Sequence, residues 1–129
     1  MAIVNTILFQ GSRDLVVRCI KTDGGAETDA IVVDKSTLVG PDGTEPSELI
    51  VDRLEWSVTA SGAGGVLLEW DLTTDEAFAT LSDRFGHLDW TSFGGVSPQS
   101  GGETGDIVLT VAALALASFT ITLWLRKKD

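Results

Sequence analysis

The sequence predicts an all-β chain: an antiparallel, jelly-roll-like β-sandwich of about eight short strands. Three observations predict it. Short apolar, β-branched runs recur between clusters of turn residues. Two stretches, Leu54 to Thr59 and Phe119 to Arg126, alternate apolar and polar side chains, and period two marks a half-buried strand. Only Thr73 to Asp83 offers helical spacing. At 129 residues the chain has room for one domain. Residues 1–12 read as an N-terminal arm or first strand, and 13–129 as a single sandwich domain.

The elements follow in order. Ile3 to Phe9 is apolar but too short to span a bilayer, and the N-terminus lacks the basic region of an export signal. Asp14 to Ile20 and Ala30 to Asp34 are apolar strand runs separated by TDGGAETD, a turn with Gly24-Gly25 as its pivot. Leu38 to Ser47 is a loop, since Pro41-Asp42-Gly43 forms turns and Pro46 interrupts a ladder. Leu49 to Thr59 and Val66 to Leu72, joined by a Gly-rich segment, read as a β-hairpin. In Thr73 to Asp83, Ala77, Phe78 and Leu81 fit one helical turn or a short strand. Phe85 to Gly105 reads as a long loop holding the anchors His87, Trp90 and Phe93.

Ile107 to Leu125 is nineteen residues without a charge, ahead of Arg126-Lys127-Lys128. As a helix it would measure about 28 Å, enough to cross a bilayer. Upstream, Ser97-Pro98-Gln99-Ser100-Gly101 is similar to a sortase sorting pattern, with Ser97 and Ser100 in place of its Leu and Thr. Against an anchor, the run alternates at both ends. Phe119, Ile121, Leu123 and Leu125 oppose Thr120, Thr122, Trp124 and Arg126, a pattern that strands require. A basic C-terminal flank would also leave the rest of the chain outside the cell without an export signal. The expectation is a two-strand hairpin turning near Ala112 to Ala117.

Nine Lys and Arg against nineteen Asp and Glu give a net charge of −10. That argues against nucleic acid as a partner, since its phosphates demand a basic footprint. Seven acids and one base, Lys35, fall between Asp23 and Glu48: a solvated face, or a match for a basic partner surface. One cysteine, Cys19, excludes an internal disulfide and reads as a small buried residue. His87, Asp89 and Ser92 have the residue types of a hydrolase triad but no G-x-S-x-G elbow accompanies them. Asp71 to Glu76 gathers oxygen ligands but lacks the glycine and terminal glutamate of a calcium loop. Gly101 to Gly105 has no lysine after it and is not a phosphate loop. No catalytic residue, cofactor or metal site is expected. Trp56 lies on the apolar face of its strand. Trp124 lies on the face opposite the apolar one, open to three readings: an interface, the core of a second sheet, or a sugar platform.

Several signatures occur in order: DLVVRCIKTDGGAETDAIVVDKSTLVG, LIVDRLEWSVT followed by VLLEWD, GHLDW-x-x-FGG, GETGDIVLT and a terminal SFTITLWLRKK. In these the chain resembles a family of small virion structural proteins of tailed bacteriophages, especially those of marine hosts. The resemblance implies a non-enzymatic β-sandwich subunit, most often a capsid cement or decoration protein on the outer surface of the major capsid protein lattice. It implies a homo-oligomer, a trimer foremost, with no membrane partner. Tail or head-tail components of similar build, and a surface protein anchored through residues 107–125, are the alternatives. A carbohydrate-binding sandwich using Trp90 or Trp124 is a further one. The apolar turn at Ala112 to Ala117 departs from the Gly or polar residues expected there. The candidate interface residues are Ile3, Ile7, Phe9, Trp90, Phe93, Leu114, Leu116 and Trp124. The apolar arm, Ala2 to Phe9, has the character of a strand that adds to a neighbour's sheet or lies across a capsomer seam.

Overall fold

The computed structural model describes residues 3–22, 27–59, 65–72, 74–81, 84–98, 105–111 and 118–128. Nine strands are found among them: β1 (Val4–Gln10), β2 (Asp14–Lys21), β3 (Glu27–Val33), β4 (Glu48–Thr59), β5 (Val66–Trp70), β6 (Glu76–Leu81), β7 (Arg84–Asp89), β8 (Ile107–Val111) and β9 (Ser118–Lys128). They form a five-stranded sheet in the order β1-β2-β9-β4-β7 and a four-stranded sheet in the order β3-β8-β5-β6. All the pairings are antiparallel.

The order has a simple logic. β5 pairs with β6, β4 with β7, β3 with β8 and β2 with β9. The chain from β2 to β9 is therefore one long folded-back ribbon. Rolling that ribbon brings β9 beside β4 and β8 beside β5, which closes two sheets of four. This is a jelly roll. β1 is added outside it, as a fifth strand on the edge of β2.

Alternation decides which side chains meet between the sheets. Phe119, Ile121, Leu123 and Leu125 of β9 face inward at 4% exposure or less, beside Leu15, Val17 and Cys19 of β2 and Leu54 and Val58 of β4. Opposite them lie Val66, Leu68 and Trp70 of β5 and Ile107, Leu109 and Val111 of β8. Burial pushes the Cys19 thiol up to about 12, because a thiolate loses its hydration there. Trp70 packs against Phe78 with ring centroids 4.9 Å apart. Lys127 is also buried, and it fastens the margin of the roll. Its ammonium donates to Gly11 O and Val39 O, each at 2.7 Å, and its amide donates to Arg13 O.

Three sequence expectations change: two hairpins and the loop over 85–105. β4 and β5 do not form a hairpin, nor do β8 and β9; each pair is split between the two sheets. Six residues separate the strand ends in both cases, longer than a hairpin's usual two to five. The strand character of 107–111 and 118–128 replaces the membrane-helix alternative, and no helix among the described residues is long and apolar enough to cross a membrane. Within Thr73 to Asp83, Glu76–Leu81 is strand β6, the short strand that the sequence offered beside a helical turn. Its register with β5 slips between Leu68 and Glu69, so β6 carries one extra residue there. The bulge lets Phe78 turn toward the core with Leu81, three residues on, and that spacing imitates a helix. The loop expected over 85–105 holds strand β7, whose polar residues His87 and Asp89 and single Gly86 hid it.

Candidate interaction surface

The two lateral sides of the sandwich differ in construction. On one side the five-stranded sheet overhangs the four-stranded one by a strand, and β1 lies beyond β3. The Asn5 amide bridges the two edges, donating to Ile31 O at 2.9 Å. Between β1 and β3 runs an apolar groove of about 230 Å3, lined by Ile7, Leu15, Val17, Ile31, Val33 and Leu38 among others. Every residue of β1 is exposed. Val4, Ile7, Leu8 and Phe9 are 52%, 50%, 48% and 56% accessible, and Ile31 is 51%. Exposed apolar side chains in such a cluster mark a contact surface. Ile3 instead packs partly buried against the core.

The other side is β7 and the segment after it. Phe85 and Phe93 are 84% and 81% exposed, and Leu88, on the opposite face of β7 from Phe85, is 39% exposed. Here the backbone is tightly tethered. Asp89 accepts from the amide and the hydroxyl of Thr91, the first at 2.9 Å. These bonds hold its carboxyl below the usual range. The Trp90 amide donates to Asp52 O at 2.8 Å, and its ring packs against the core, so Trp90 anchors the segment from within. Val96 and Val51 exchange two backbone bonds of 2.8 Å. Arg126 grips Asp52 through two bonds of 2.7 and 2.9 Å and reaches Gly94 O at 2.6 Å. Its hydrogen bonds to Asp52 raise its affinity for its proton. Gly95 has φ +89, and a Cβ there would lie 2.4 Å from Ile50 Cγ2 and 3.1 Å from Val51 O, so only glycine fits.

Register joins these sides across the outer face of the five-stranded sheet. Phe9 stands opposite Val16, Val16 opposite Trp124, Trp124 opposite Arg53, and Arg53 opposite Asp89. One row thus crosses all five strands, over a shallow trough of about 480 Å3. Trp124 is half-buried in it, with the Arg53 guanidinium 4.9 Å from the ring centroid, a cation–π contact. Arg53 also pairs with Glu55 at 2.9 Å.

Leu114 and Leu116 lie outside the described residues. Phe85, Leu88 and Ile31 were not singled out from the sequence. For Phe85 a signal was present, since it shares one strand face with His87 and Asp89, an aromatic among polar residues. The triad residue types do not assemble a catalytic relay: Asp89 serves Thr91, and His87 stands opposite Glu55 on β4. Asp75, from the acidic 71–76 run, gathers with Asp29 and Glu69, their oxygens within 4.8 Å of one another. These three carboxylates are the donors among the described residues that can hold a metal ion. Thr110 Oγ1 lies 3.4 Å from Asp29 and 3.3 Å from Glu69. Desolvation first, then the neighbouring acids, raise the carboxyls of Glu69 and Asp75 above their ordinary values.

Comparison with protein-family models, curated proteins and solved structures gave no match.

Proposed function

We propose that this protein is a non-enzymatic virion structural subunit: a capsid cement or decoration protein that binds the outer surface of a tailed phage's major capsid protein lattice. The observation that carries this reading is the pair of apolar contact surfaces on opposite sides of one sandwich, β1 with β3 and β7 with Phe93. A subunit that bridges a lattice needs two such surfaces, one for its own copies and one for the shell. We assign the β7 side to the shell and self-association, with a trimer expected, to the β1 side. The ordered sequence signatures supply the link to phage virions, and the jelly roll accommodates that role. A charge of −10 is repelled by packaged DNA and suits a capsid exterior. Binding only the assembled lattice would stabilise the shell by mass action.

The test is co-sedimentation of the purified protein with phage heads lacking it. The expected result is saturable binding in many copies per head, with heads that resist heating. Binding of only a few copies would indicate a head-tail or tail component. No binding would remove the capsid assignment.

A further inference from the structure

The two sheets do not match in width. Five strands face four, and the strand without an opposite number is β1. The groove beneath it follows from that mismatch, for it occupies the place where a fifth strand of the smaller sheet would lie along β3. Asn5 already behaves as a substitute for that strand, since its side-chain amide satisfies Ile31 O on the edge of β3. A bare sheet edge offers backbone groups for strand addition.

We propose that β1 of a second copy fills this position, pairing along β3 and burying its apolar side chains in the groove. It deepens the self-association in the reading above and is independent of any shell.

Charge singles out the occupant. β1 reads VNTILFQ and carries no charge. The other three edge strands all do: Glu27 and Asp29 on β3, Glu76 on β6, Arg84 and Asp89 on β7. In a chain of net charge −10, β1 is the edge that can enter a copy's groove without bringing like charges together. Ile7 and Ile31 face each other across the groove, and each is about half exposed, at 50% and 51%. Donor strand and groove lie on the same side of the sandwich, so the exchange closes either as a pair or round a threefold ring.

The experiment is sedimentation equilibrium of the full chain, without capsids, over rising concentration. The expected mass is two or three times 13.7 kDa. Ile7→Lys on β1 and Ile31→Glu on β3, each checked for a wild-type circular dichroism spectrum, should each weaken association at least tenfold. Mixing the two should restore it, because the new lysine of one copy meets the new glutamate of the other. A wild type that stays monomeric overturns the proposal. So do variants that associate as wild type, or singles that fail without rescue on mixing, which would mean that β1 meets β1. Should either variant misfold, amide exchange in the wild type decides: β1 and β3 should exchange more slowly at high concentration, and unchanged exchange overturns the proposal. Loss of association with capsid binding intact would separate this failure from failure of the shell assignment.

Discussion

β1 and β7 are the two edges of one sheet, yet they are finished differently. β7 carries Arg84, His87 and Asp89, and Gly86 lets it lie close over Trp56, where a Cβ would come within 2.6 Å of the indole. The chain then folds back through Trp90, Gly95 and Val96 onto β4. β1 carries no charge, and among the described residues it has no such tether beyond β2 and the Asn5 bridge. Charge and covering segments are the usual protections of a sheet edge against pairing. The apolar exposure at β7 is mounted on a fixed frame, whereas β1 is left as a bare, uncharged edge.

Three substitutions probe this contrast. Gly95→Ala on the β7 side should have the largest effect. It combines a positive φ with contacts that cannot relax, because one of them is the Val51 backbone. The expected loss is about 2–4 kcal/mol in urea unfolding; a loss below about 0.5 kcal/mol would mean that the frame is not rigid. Asp89→Asn should act next, and mainly through pH. The Thr91 bonds depress the Asp89 carboxyl. Its stabilisation is therefore present above the ordinary aspartate value of about 3.9 and is lost as pH falls through the lower folded value. The wild type should shed more stability on acidification than the variant, read as thermal midpoints from neutral pH down to acid. Equal slopes would remove the turn from the frame. Ile7→Lys should change stability least, within about 0.5 kcal/mol, since the side chain is half exposed. A large loss there would mean that β1 is part of the core and not a contact edge.

What the sequence made legible was strand identity and facing. The alternation of Phe119 to Arg126 separates buried Leu123 from half-buried Trp124 as the structure does. The alternation says nothing of which strand sits alongside. β4 to β5 and β8 to β9 cross between sheets because partner choice depends on the whole ribbon and its rolling, a non-local property. Bulges hid more: the extra residue in β6 shifted the period and imitated a helix. Of the exposed apolar side chains, Ile7, Phe9 and Phe93 were visible in the sequence as apolar residues outside the core pattern. Ile31 was not, because it belongs to an apolar run, and its exposure follows from the missing strand beside β3. The Asp29, Glu69 and Asp75 cluster was likewise invisible, since its members come from three segments joined only by the fold.

The most direct measurement is amide hydrogen exchange of the full chain in three states: dilute, concentrated, and concentrated with phage heads lacking the protein. β1 (Val4–Gln10) should slow on concentration alone, while β7 (Arg84–Asp89) should slow only when heads are added. Exchange in β1 that ignores concentration, or β7 that ignores heads, would contradict it.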